Sequence, residues 1–421
     1  MHRVFAVLAG CSLAAGLLVA PAGAAAPGAP AATQAASTGA GSFLPVEGNP
    51  VRVLDTRTGL GGRSGAVAPR QTVTAHVGLA GTPAALVKVT VPGNAPAGSL
   101  SVYPSGTVWN GHVTISLVGG STISQQLNVK LGADGGMTIR NNSATAVHLI
   151  VEKLGHYKAG TPTGIGTFVA LDSRILDTRA GSPLAPGGRL TLALPGRGGI
   201  PAAGAGAVVL NIAVLSARAT GLLSIIDGDG SQATLHMRFL GNRTAPQPMQ
   251  TERIVKLGPD GRLTFGQSST AGVHLVVDLM GYFLRTSDDG PYPNVYEGRY
   301  QATSPRALRM PLPSTATQLR LDGHRPLSPR MPFYDFGTLA YTVVLSPDQP
   351  SQPTLLGLYD VGSPWTPTVT LSSTAARQPS ESTVHESFEG APTLVNLSTA
   401  QTTYLHGYLT GYYWYLHCVS C

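Results

Sequence analysis

Charge is scarce in this chain: Lys, Arg, Asp and Glu make up 12% of its 421 residues, about half the share usual for a soluble domain. Aromatic residues are scarcer, at 6%. Glu and Lys are too few, and Gly (52) and Pro (33) too many, for a coiled coil or a long-helix protein. No Gly-x-y period runs through the glycines, which excludes collagen. Beyond residue 24 no run of about 18 apolar residues occurs, so no further membrane span is expected. No Gly-x-Ser-x-Gly elbow, His-Glu-x-x-His helix or phosphate-cradling loop appears either. What remains is a β-rich, turn-rich chain whose 43% hydrophobic content supplies ample material for packed cores.

The first 24 residues carry Arg3, an apolar stretch from Val4 to Ala20 and the small-x-small site Ala22-Gly23-Ala24. This pattern predicts a secretory signal peptide. A lipoprotein box at Leu8-Ala9-Gly10-Cys11 is the weaker alternative, because the apolar run before Cys11 is very short. Residues 25–41, mostly Ala, Pro, Gly, Thr and Ser, are expected to form a flexible spacer. Leu312-Pro313-Ser314-Thr315-Ala316 only loosely resembles a sortase signal, lies mid-chain and has no apolar tail. The mature chain is therefore expected to be released, or held at the cell surface non-covalently. Signal removal would leave only Cys418 and Cys421. They are expected to form a small local disulfide or remain as thiols, in preference to a metal or redox site.

Internal repetition is the strongest signal. Arg52-Val-Leu-Asp-Thr-Arg-Thr-Gly59 recurs as Arg174-Ile-Leu-Asp-Thr-Arg-Ala-Gly181. Val129-Lys-Leu-Gly-Ala-Asp-Gly135 recurs as Val255-Lys-Leu-Gly-Pro-Asp-Gly261. His148-Leu-Ile-Val-Glu-Lys-Leu-Gly-His-Tyr157 recurs as His274-Leu-Val-Val-Asp-Leu-Met-Gly-Tyr-Phe283. A fainter third copy keeps Arg306 and Leu308, has Arg309-Met310-Pro311 in place of Asp-Thr-Arg, and closes on Tyr404-Leu-His-Gly-Tyr-Leu-Thr-Gly-Tyr-Tyr413. Short runs rich in Val, Ile and Leu lie between Gly-containing turns such as Pro92-Gly93, Asp134-Gly135 and Asp260-Gly261. The expectation is an all-β protein of three tandem β-sandwich domains, jelly-roll or immunoglobulin-like: 42–157, 166–285 and a divergent 294–421.

These three blocks resemble a repeat module of secreted proteins from high-GC Gram-positive bacteria, where it occurs in tandem or appended to wall-active and other exported enzymes. The resemblance covers about 42–157 and 166–285 well and 294–415 poorly. It implies an accessory or surface role and no particular reaction.

Asp55 with Arg57, and Asp177 with Arg179, fall two apart, on one face of a strand that is about to turn. They read either as an acid–base pair able to bind a polar ligand, or as a structural corner in which Asp caps turn amides and Arg bonds loop carbonyls; the second is favoured. His148 and His274, matched by Tyr404, suit half-buried strand positions. Asp227-Gly-Asp229-Gly230 reads as a hairpin turn in preference to a calcium loop, which would need further acids. Tyr408, Tyr412 and Trp414 belong to an aromatic cluster at the chain's end. Such rings would suit stacking on sugars; the competing reading is a last strand closing a core, which is preferred. Trp109 and Trp365 are either ligand-loop rings or packing within their own hairpins. No metal or cofactor is expected.

Residues 42–157 carry 8 basic and 4 acidic side chains and residues 166–285 carry 11 and 7, whereas residues 286–421 carry 7 and 10. The first two units are therefore suited to an anionic wall polymer or membrane surface; nucleic acid is not expected as a partner. The reading is an exported, non-catalytic surface or cell-wall binding protein for a glycan or anionic wall polymer. The alternatives are a secreted carbohydrate-active enzyme with its site in the third unit, and a structural or adhesive spacer.

Overall fold

The computed structural model describes residues 40–46, 50–93, 95–117, 119–120, 122–160, 166–226, 235–239, 241, 248–284, 299–310, 314, 316–322, 325–329, 338–347, 354–359, 367–371, 380–385, 393–397 and 402–414. The expectations for residues 1–24, Asp227–Gly230, Trp365, Cys418 and Cys421 lie outside the described residues.

Within the body Ser37–Cys421 the strands form antiparallel sheets, two to each repeat. In the first repeat one sheet places Phe43–Pro45 and Val51–Asp55 beside Ile150–Tyr157, followed by Ala84–Val91 and Ile123–Lys130. The other runs Thr72–His76, Gly136–Asn141, Gly98–Pro104, Ile115–Leu117. Counting strands along the repeat, the two orders are 1-8-3-6 and 2-7-4-5. An immunoglobulin sandwich pairs its first strand with its second; here the first pairs with the last, which is the jelly-roll order.

The second repeat has the same order. Its sheets are Phe168–Asp177, His274–Leu284, Ala205–Leu215, Met249–Lys256 and Arg189–Ala193, Arg262–Gln267, Gly221–Ile226, Leu235–Phe239. The third repeats it again. One sheet sets Arg299–Ala307 and Gln318–Leu321 beside Thr403–Trp414, then Thr338–Pro347 and Ser380–His385. Its partner runs Pro326–Leu327, Thr393–Asn396, Thr354–Tyr359, Pro367–Leu371.

Each sandwich encloses its own apolar core. A further cluster lies where the three meet and includes Phe43, Phe168, Phe283, Tyr300 and Tyr413. This explains why Ala207–Leu215 is apolar at every position but Asn211. Val208, Leu210, Ile212 and Val214 fill the second core, while Ala207 and Val209 face the junction. Both faces of the strand are dry, so polar residues do not alternate along it.

The expected spacer 25–41 ends inside a sheet: Ala40 pairs with Val169 and Gly41 with Phe168 of the second repeat. Gly41 is pressed so closely against the Lys158 backbone that a Cβ would overlap its carbonyl oxygen. The composition that suggested a flexible segment here supplies the small residue a close crossing needs.

Candidate functional site

The Asp-Thr-Arg corner is an internal lock between the first and closing strands of a repeat. The strand ends at Asp55, so the turn, not a shared strand face, brings Arg57 back to it. Asp55 accepts from the Arg57 backbone N (3.0 Å), from Arg57 Nε (3.0 Å) and Nη2 (2.8 Å), and from Arg52 Nη1 (3.2 Å). Its carboxyl is held at about 2 against the ordinary 3.8, chiefly by the Arg57 guanidinium hydrogen bonds, which outweigh burial. The expected Asp cap on a turn amide is present, but Arg57 bonds the carboxylate where loop carbonyls were expected. Arg52 reaches on to Glu152 Oε1 (3.0 Å), whose other oxygen takes Lys88 Nζ at 2.7 Å. Thr56 Oγ1 accepts from Leu149 N (2.9 Å) and lies 3.1 Å from His148 Nδ1. The two sequence blocks are thus joined residue to residue.

The second repeat reproduces this. Arg179 Nε and Nη2 donate to Asp177 at 2.8 and 2.5 Å. Arg174 forks onto Asp278 (2.9 and 3.3 Å). Thr178 Oγ1 accepts from Leu275 N (2.9 Å) and lies 3.1 Å from His274 Nδ1. The Arg179 guanidinium lowers the Asp177 carboxyl, whereas burial raises that of Asp278 despite Arg174. A register shift next to Arg52 and next to Arg174 sets each arginine opposite its acid, Glu152 or Asp278. In the third repeat the register shift lies between Ala302 and Arg306, and Ala307 stands opposite Tyr408.

The closing-block glycines have a mechanical reason. A Cβ on Gly155 or Gly281 would sit 2.4 Å from the ring of Phe43 or Phe168. Those rings belong to a closed circle at the junction of the three sandwiches. Phe43, Tyr157, Phe168, Phe283, Tyr300 and Tyr413 follow one another with centroid separations of 5.4, 4.5, 4.9, 4.2 and 4.9 Å, and Tyr413 returns to Phe43 at 4.7 Å. Each repeat contributes one cross-strand pair: Phe43–Tyr157, Phe168–Phe283 and Tyr300–Tyr413. Tyr157 Oη also meets Tyr413 Oη at 2.8 Å.

The C-terminal aromatics accordingly divide. Tyr413 lies in this circle and Tyr412 is buried in the third core, so their rings close packed interiors and offer no face to a sugar. Tyr408 is half-buried, Tyr404 is exposed, and Trp414 ends the strand opposite Arg299. Trp109 packs within its own region, its ring 4.7 Å from the Arg140 guanidinium and its Nε1 donating to the His112 carbonyl.

Among the described residues of the first two repeats, Arg52, Arg57, Arg70, Arg179, Arg189, Arg197, Arg218 and Arg262 are exposed, and of the acids Asp134 and Asp260. Asp55, Glu152, Glu252 and Asp278 are buried, and so are Lys88 and Arg253. Sequence reasoning did not single out Lys153 and His156, although the closing blocks carried the signal: they align with Leu279 and Tyr282.

No protein-family profile and no curated protein matches this chain. Among solved structures it is similar to one described as "The Triple Jelly Roll Fold and Turret Assembly in an Archaeal Virus", with 10% identity, 89% of each chain covered and a TM-score of 0.20. The jelly-roll assignment rests on the strand order above. Among the described residues no helix is long and apolar enough to cross a membrane, and no group of three or more His, Cys, Asp or Glu side chains is placed to hold a metal ion.

Proposed function

We propose that this chain is an exported, non-catalytic surface protein that binds an anionic cell-wall polymer through its first two sandwiches. The observation that carries the reading is the surplus of basic over acidic side chains at the surface. Among the described residues of these two units four acids are buried, Glu152 and Asp278 among them in locks with Lys88 and Arg174; Asp134 and Asp260 are exposed, against eight exposed arginines that include Arg70, Arg189 and Arg218. A positive exterior attracts a polyanion over a Debye length and needs no carved pocket. The secretory pattern of residues 1–24 puts such a protein on the side where wall polymers lie. A glycan-stacking role for the C-terminal rings is the weaker version, because Tyr412 and Tyr413 are buried.

The test is retention of the purified mature chain on isolated cell walls at low salt and at about 0.5 M salt, where screening shortens to a few ångströms. Retention that salt abolishes is the expected result. Retention that resists salt would favour glycan contacts, and absence of retention would reject wall binding.

A further inference from the structure

The closing strand of the first sandwich carries a lysine and a histidine where the other sandwiches carry a leucine and a tyrosine packed in the core. Lys153 pairs with Val87 and His156 with Ala85, and directly opposed residues of an antiparallel pair share a face. Val87 and Ala85 belong to the first core, so Lys153 and His156 lie on the sheet face that lines the sandwich interior. Counting back from the aligned Tyr157, Phe283 and Tyr413, the same places hold Leu279 and Tyr282 in the second repeat, and Leu409 and Tyr412 in the third. Those four are packed in their cores. Lys153 and His156 are only half-buried, and among the described residues neither side chain has a hydrogen-bond partner or a counter-ion.

Withdrawing a cation partly from water without a counter-charge is costly, and here the Lys153 ammonium is withdrawn beside an imidazole that can itself take a proton. The electrostatics record that strain: burial lowers the proton affinity of Lys153, and burial together with Lys153 and Lys158 lowers that of His156. The same chain builds this corner twice from Leu and Tyr, so the fold does not require the charges.

We propose that this end of the first sandwich, lined by Lys153 and His156 with Lys158 beside them, is an anion-binding site that takes a phosphate group. An ammonium and an imidazole offer N–H donors to phosphate oxygens, and the anion supplies the absent counter-charge. The site deepens the polymer-binding reading and rests on it only for the source of the phosphate: a free ion, or a phosphodiester within a polymer.

The test compares the full mature chain with the variant Lys153→Leu/His156→Tyr, which copies the second repeat's own residues. Inorganic phosphate and poly(glycerol phosphate) are titrated against both, read by melting temperature and by NMR titration of the His156 imidazole. The expected result is a phosphate-dependent rise in melting temperature for the native chain, an upward move of the His156 titration, and at least tenfold weaker phosphate binding by the variant. Equal stabilisation of the two proteins by phosphate, or of neither, would overturn the proposal. Should the double variant fail to fold, Lys153→Gln keeps a polar donor on a side chain one atom shorter, without the charge, and must show the same loss. Polymer retention undiminished in the variant, with no phosphate response in either protein, rejects this site and leaves wall binding standing. A phosphate response that the variant loses, without polymer retention, supports the site and rejects the polymer as its source.

Discussion

In the first two sandwiches an arginine of the first strand faces an acid of the closing strand, Arg52 facing Glu152 and Arg174 facing Asp278; in the third, Ala307 faces Tyr408. The three nevertheless share one strand order. They also share a cross-strand aromatic pair at the junction, Phe43–Tyr157, Phe168–Phe283 and Tyr300–Tyr413. Alternating apolar residues and the junction rings are common to all three, so they are the parts the jelly roll needs. The charged lock is an addition that a unit can lose. It is lost as a set: Arg309-Met310-Pro311 replaces Asp-Thr-Arg and Tyr404 replaces the histidine. That is expected of residues that bond one another across the two strands.

If the rings are the common element, truncating one should have the largest effect. Phe168→Ala, which removes a fully buried ring between Tyr157 and Phe283, is expected to cost about 3–5 kcal/mol in equilibrium unfolding. A cost near that of a surface substitution would mean the circle does not hold the sandwiches together. The lock should matter next, and asymmetrically. Glu152→Ala strands Lys88, which is 2% exposed, and is expected to destabilise by about 3 kcal/mol. Lys88→Val/Glu152→Tyr, which copies Val344 and Tyr408 of the third repeat, should restore most of that loss; failure to do so would show that the first repeat depends on its charges.

Thr178→Val removes the acceptor for Leu275 N and the contact with His274. It should cost about 1–2 kcal/mol, since a backbone donor is left without its partner. The smallest effect is the pH dependence of Asp55. Its folded value, about 2, lies below the ordinary 3.8, so its contribution is complete above about pH 4 and fades as pH falls through 2. Arg57 is 44% exposed, and solvent screening reduces the contribution to about 1 kcal/mol. Asp55→Asn should therefore lower the melting temperature at pH 7 and have little effect near pH 2, as acid-titrated melting curves would show.

Much of this was legible in the residues. The offsets between blocks announced the duplication, the Gly-containing turns announced short strands, and Gly135 and Gly261 do adopt φ of 75° and 63°, which Gly favours in such turns. The corner's structural character was readable from Asp next to a turn, but its partners were not. Nothing in the spacing of Arg52 and Glu152, 100 residues apart, says that they meet. Lys153 and His156 were visible as departures between aligned blocks, yet their meaning depends on which face of the strand they occupy. A shift in register sits between Lys153 and Gly155, and such a shift reassigns faces in a way that alternation along the chain does not foresee.

By itself the sequence determined the all-β class, the threefold repetition and the basic character of the first two units, because composition, turn residues and periodicity are local properties. Only the tertiary structure decided between jelly roll and immunoglobulin order, joined the blocks into a lock and gathered six rings from three repeats into one circle. Each of these depends on pairing between strands far apart in the chain. Such pairing is selected by the burial of whole faces, to which each residue contributes only a part.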